Sequence, residues 1–135
     1  MTSRALIRAL ARPLVPEDVS DDEAARAVEL QRLKLTGLIA DWKFQPLTLK
    51  LADGVRYTPD FVVEETDGTL TLEEVKGRCR PKRADGSYLK SRPHYHDDGA
   101  RVKPRVAPEI VPWFRVRVVW QLHATEGGDW GSETY

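Results

Sequence analysis

The chain has 135 residues, 41% of them apolar, with 21 basic and 21 acidic side chains and a formal net charge of zero. That length suits one domain burying about two thirds of its unfolded surface, and the apolar fraction excludes a disordered chain. No apolar run approaches the ~20 residues of a membrane span, and the lone Cys79 excludes an internal disulfide, which favours a reducing, cytoplasmic setting.

Residues 1–19 read as an N-terminal arm. In "MTSRALIRALARPLVP", Arg4, Arg8 and Arg12 share a helical face opposite Leu6, Ile7 and Leu10. The absence of acids is targeting-like, but Pro13 and Pro16 mark a short arm or capping helix. A domain is expected over residues 20–124. Ser20, Asp21, Asp22 and Glu23 open a helix with a capping-box pattern; Ala24, Ala27, Val28, Leu30, Leu35 and Leu38 recur at helical spacing, and Gly37 falls where the helix ends. "FQPLTLKL" alternates Leu47, Leu49 and Leu51 as a half-buried strand. "VRYTPDFVVEE" and "TLTLEEVKG" are two more strands, joined around Asp67-Gly68, a hairpin turn signal. Residues 78–98 are expected as a polar loop and residues 99–110 as a helix, against the cues of Pro104 and Pro108. "WFRVRVVW" is the closing strand, with Trp113 and Trp120 assigned to the core, and residues 125–135 are expected as a flexible tail. The order gives an α/β or α+β domain with a mixed sheet.

Charge is unevenly spread. Residues 17–29 hold Glu17, Asp18, Asp21, Asp22, Glu23 and Glu29 against Arg26, whereas residues 78–105 are dominated by Arg and Lys. An acidic cluster beside a basic band is what a metal-dependent enzyme acting on nucleic acid requires. Within the hairpin, a turn centred on Asp67 pairs residues whose numbers sum to about 134, which sets Asp60 opposite Glu74. Like charges so placed repel unless a cation lies between them, and Mg²⁺ takes carboxylate oxygens. Strand alternation puts Glu74 and Lys76 on one face and Glu73 and Val75 on the other. Lys76 beside a metal-bound water can orient it for attack on phosphorus. The competing reading is a charge trio on a solvated sheet face. Glu23 also has a second role open to it as the capping-box acid, with Glu29 the alternative helical acid. His94 and His96 in "PHYHDD" suggest a transition-metal site, but two histidines in a polar loop are usually incidental, and they are read so.

"TPDF" followed by "EEVKG" resembles the PD-(D/E)xK nuclease signature, with Pro59-Asp60 as its first half and Glu74-Val75-Lys76 as its second. The wider pattern, "SDDEAARAVEL", "GLIADWKFQPLTL", "YTPDF" and "EEVKG", resembles a family of small phage-borne nucleases related to phage endonuclease I, a Holliday-junction resolvase. The resemblance covers about residues 20 to 80 and, more loosely, "RVAPEIVPWFRVRVV". It implies a restriction-endonuclease-like core of helix, three-strand meander, helix and strand. It implies hydrolysis of DNA phosphodiesters with Mg²⁺ or Mn²⁺, selective for branched or single-stranded forms, by a phage or prophage protein in a bacterial cytoplasm, with a homodimer possible. On its terms Asp60, Glu74, Glu23 and the Val75 backbone carbonyl hold the metal, and Lys76 orients the water. Gln45 matches a glutamine that opens the first strand. Arg78, Arg80, Lys82, Arg83, Lys90 and Arg92, leaving the motif directly, are the expected DNA-phosphate contacts, sequence-independent and salt-sensitive. The alternatives are a nucleic-acid-binding subunit without activity, or the nuclease subunit of a larger recombination, restriction or transposition complex.

Overall fold

The computed structural model describes residues 3–135. In chain order these form helices α1 (Ser3–Ala11) and α2 (Asp21–Leu35), then strands β1 (Asp41–Phe44), β2 (Leu49–Ala52), β3 (Val55–Tyr57), β4 (Phe61–Glu64), β5 (Leu70–Cys79) and β6 (Arg92–His94). Helix α3 (Asp98–Ile110), strand β7 (Phe114–Gln121), a 3₁₀ turn (Ala124–Glu126) and strand β8 (Trp130–Thr134) complete the chain. The architecture is α+β. The main sheet runs β1-β4-β5-β7-β8, with β6 paired to β5; β5 and β7 are parallel and the remaining pairs antiparallel.

Helix α2 begins where the sequence directs. The Ser20 hydroxyl accepts from Glu23 N–H and the Glu23 carboxylate accepts from Ser20 N–H, each at 3.1 Å. Its end is a Schellman turn: Gly37 takes φ +78°, with Leu38 N–H donating to Leu33 and Gly37 N–H to Lys34. The arm is the helix α1, tied to α2 by Arg4 and Arg8, which pair with Asp21 at 2.9 and 2.8 Å. Helix α3 forms through both prolines; Pro104 and Ala107 are buried, and Asp97 caps it by accepting from Ala100 N–H.

The sheet is packed on both faces. Ala24, Ala27 and Leu30 of α2 meet Trp42, Phe61, Val63, Val75 and Val119 on one side, while Leu51, Tyr57 and Ala107 meet Val62, Leu72 and Val116 on the other. Strand β5 lies at the centre of this sandwich, so Thr71 to Val75 are all buried. Glu73 is fully buried on the α2 face, and two guanidiniums enclose its charge: Arg26 Nε and Nη2 donate at 2.8 and 2.7 Å, Arg117 Nε and Nη2 at 2.9 and 2.6 Å. Burial works against ionisation of Glu73, yet Arg26 and Arg117 together hold its pKa below the ordinary value.

Four expectations need correction. The first strand of the sheet is Asp41–Phe44, where Trp42 and Phe44 pack edge-on against Phe61 at 5.7 and 5.4 Å. The Leu49–Leu51 segment is a strand, but it pairs only with β3 in a separate ribbon over the α3 face. The second predicted strand is split at Thr58-Pro59, because proline supplies no N–H to a ladder. The C-terminal tail is ordered: β8 pairs with β7 from Trp130↔Gln121 to Arg117↔Thr134. Gly131 permits this, since a Cβ there would stand 2.5 Å from Cε2 of Trp120. Finally, Trp120 is core, but Trp113 is 72% exposed, one residue before β7 enters the sheet.

Candidate active site

The β4–β5 ladder pairs Phe61 with Glu73, Val62 with Leu72 and Val63 with Thr71, residue numbers that sum to 134. Asp60, one step before Phe61, therefore comes abreast of Glu74. Two backbone contacts fix it: Val75 N–H donates to Asp60 Oδ2 at 2.8 Å, and Gln45 N–H donates to the Asp60 carbonyl at 2.9 Å. Gln45 does not open a strand. It follows β1 at φ +42° with an exposed side chain, and its contribution is that backbone bond.

Asp60 and Glu74 share a cleft of about 430 Å³ with Asp22 and Glu23 from the start of α2, with Lys76 and Arg78 from β5, and with His94 and His96. Lys76 Nζ stands 3.4 Å from Glu74 Oε2 and 5.8 Å from the centre of the Tyr95 ring. Burial, and then the charge of Glu74, push the Asp60 pKa up to about 8, against the opposing pull of the Val75 N–H. Burial likewise raises Glu74, partly offset by Lys76 and Tyr57. The Tyr57 hydroxyl is buried beside Glu74 without a hydrogen bond of acceptable geometry, and burial and the Glu74 charge raise its pKa strongly. Asp22 is raised by burial, against the attraction of Arg78. On its two faces β5 thus carries opposite solutions: Glu73 is enclosed by arginines, whereas Glu74 faces a second carboxylate and one ammonium.

Donor chemistry here fits a hard divalent cation. Among the described residues no group of three or more His, Cys, Asp and Glu side chains is gathered around one point. Mg²⁺ is ordinarily held by one or two carboxylates together with water and substrate phosphate, and the Asp60–Glu74 pair meets that requirement. Of the two helical acids, Glu23 reaches the cleft while also serving as the capping-box acid; its charge adds to the raising of both Asp60 and Glu74. Glu29 instead binds Arg32 at 2.6 Å and lines a different groove, with Arg26, Arg117 and Trp130. Val75 lines the cleft and contributes its N–H to Asp60.

The basic segment is folded more than a polar loop would be. Strand β5 runs on to Cys79, Lys82 bridges Tyr88, and Arg83 N–H donates to the Ser87 carbonyl. Arg78 alone of the six predicted phosphate contacts lines the cleft, and its Nη1 donates to the Gln121 carbonyl at 3.2 Å. Arg80 lies over the Tyr88 ring at 4.8 Å, 3.9 Å from Glu126. Lys82, Arg83, Lys90 and Arg92 are exposed, and Arg92 lines an adjoining groove with Arg101 and Arg105.

Reading the sequence missed Asp22, Tyr57, His94 and His96. The histidine pair was visible in "PHYHDD" but not its place: both reach the cleft because β6 pairs with the far end of β5, setting His94 opposite Gly77. The chain matches no protein-family model, no curated protein and no solved structure.

Proposed function

We propose that the protein is a divalent-metal-dependent phosphodiesterase that cuts DNA, with Asp60 and Glu74 as metal ligands and Lys76 positioning the attacking water. One observation carries this reading: a buried carboxylate, Glu74, and a half-buried one, Asp60, stand abreast, both raised in pKa, with a single ammonium beside them and an open cleft above. Two carboxylates placed side by side in this way cost stability unless a cation answers them, as the arginine-enclosed Glu73 on the reverse face illustrates by contrast. The motif halves Pro59-Asp60 and Glu74-Val75-Lys76, and the order of helix, antiparallel strands, helix and parallel strand, agree with a PD-(D/E)xK nuclease.

A bound Mg²⁺ or Mn²⁺ supplies Lewis acidity toward the phosphoryl oxygen and a lowered pKa for attacking water. The chain's own residues do the rest. The Val75 N–H fixes one oxygen of Asp60 and leaves the other for a ligand. Lys76, held beside Glu74, orients the water by hydrogen bonding. Glu23 adds negative charge at the rim. The exposed cations Lys82, Arg83 and Lys90 contact phosphates flanking the cut. Selection acts through DNA shape, because the cations assigned to the DNA contact its phosphates, which carry no base information.

The test is incubation of the purified protein with linear duplex, single-stranded, forked and four-way DNA, with Mg²⁺, with Mn²⁺ and with chelator. Metal-dependent cleavage of one or more substrates, lost in Asp60→Asn, is the expected result. Binding without cleavage under every condition overturns the hydrolase reading.

A further inference from the structure

We propose that His94 and His96 form a proton-donating pair for the leaving oxygen of the scissile phosphodiester, a role that rests on the hydrolase reading above.

The backbone around β6 is anchored on alternate residues. Ser91 is buried and held by the Glu126 carboxylate through both its N–H and its hydroxyl. Pro93 is buried, and Tyr95 packs over Lys76. His94, which ends β6, and His96, two residues beyond it, are exposed to solvent, with their rings perpendicular and 5.3 Å apart. Both line the cleft that holds Asp60 and Glu74, and both also line the adjoining groove of about 660 Å³ that continues past Arg101 and Arg105. They stand where the cleft and the groove meet.

Chemistry supplies the second half of the argument. Asp60 and Glu74 are the metal ligands and Lys76 is committed to the water side, so none of these three serves the leaving oxygen. Imidazole is the side chain suited to give up a proton near neutrality. The water oxygen forms the new P–O bond, and the old P–O bond breaks with its electron pair on the sugar oxygen. An imidazolium N–H proton passes to that oxygen, while the proton lost by the water goes to solvent. Asp22, Glu23 and Arg78 share the cleft wall with the two rings and set the charge around them.

A sulfur-bridged substrate separates this role from a structural one. When sulfur replaces the bridging oxygen that leaves, the departing group is a thiolate, stable without a proton because a thiol is a far stronger acid than an alcohol, a cysteine thiol ionising at about 8.5. Oligonucleotides carrying one ordinary, one 3′-S or one 5′-S linkage at the cleavage position are cut in single turnover with Mn²⁺ by wild type and by His94→Ala/His96→Ala. The double variant is expected to lose about a hundredfold or more on the ordinary linkage. It should stay within a few-fold of wild type on the sulfur linkage that leaves, and bind DNA in chelator as wild type does. Equal losses on both linkages, or no loss on either, overturn the proposal while the hydrolase reading stands. A wild type that cuts neither overturns both. Should the alanine variant fail to fold by circular dichroism, His94→Gln and His96→Gln, polar but unable to donate a proton in this way, carry the same comparison.

Discussion

Asp60→Asn tests the electrostatics of the site without reference to catalysis. Asp60 has its pKa pushed up to about 8 from an ordinary 3.8, so between those values the folded protein retains a proton that the unfolded chain has released. The folded state then binds more protons than the unfolded one, and stability must fall as pH rises through that window. About four pKa units at about 1.36 kcal/mol each amount to on the order of 5 kcal/mol, shared with Glu74, which moves in the same direction. Asparagine keeps the acceptor for the Val75 N–H and removes the charge. In urea unfolding with chelator present, wild type should lose several kcal/mol between pH 5 and pH 8.5, roughly the upper part of the window, and Asp60→Asn should lose much less. The variant should accordingly be the more stable protein at the alkaline end. Adding Mg²⁺ at about a hundred times its Kd should restore about 2.7 kcal/mol to wild type at pH 8 and nearly nothing to the variant. Glu126, held down to about 2 by Ser91, acts only at far lower pH and does not obscure the trend. Wild-type stability that stays level or rises over this range, or a variant less stable than wild type at pH 8, would refute the paired-carboxylate argument.

Lys76→Ala should leave Mg²⁺ and DNA affinity within a few-fold while lowering the single-turnover rate by about a hundredfold or more, as loss of a group positioning the nucleophile does; a near wild-type rate removes Lys76 from the mechanism. Lys82→Ala/Arg83→Ala, which changes two exposed cations, should flatten the slope of log affinity against log salt by about two units on duplex DNA, whereas Arg80→Ala should act mainly on stability because Arg80 stacks on Tyr88 beside Glu126. Glu73→Ala should cost about 3–5 kcal/mol in urea unfolding by stranding Arg26 and Arg117, and metal affinity in the surviving folded fraction should be unchanged; a shifted metal titration would make Glu73 a ligand instead. Gly131→Ala drives a methyl into the Trp120 ring, and a loss of about 1–3 kcal/mol with faster amide exchange in residues 130–134 is expected; unaltered exchange would mean the ring moves aside freely.

Local chemistry was enough for much of this fold. The Ser20–Glu23 box, Gly37 and Asp67-Gly68 are signals carried by a few adjacent residues, and α2 and the β4–β5 turn stand where those residues direct. The period-2 side-chain rule, applied to one turn position, was also enough to bring Asp60 abreast of Glu74 and to separate Glu73 from it. What the sequence left open depends on partners distant along the chain. Which of two apolar segments joins the sheet was decided by Trp42 and Phe44 packing on Phe61, not by the better alternation of Leu47 to Leu51. The polar tail became a strand because the edge of β7 offers a ladder and Trp120 needs a glycine opposite it. Glu73 found two arginines, one 47 residues earlier and one 44 later, and His94 reached the cleft through its pairing with Gly77. Short-range hydrogen bonding and side-chain period are written in neighbouring residues; burial, charge pairing and strand exchange are decided only when remote surfaces meet.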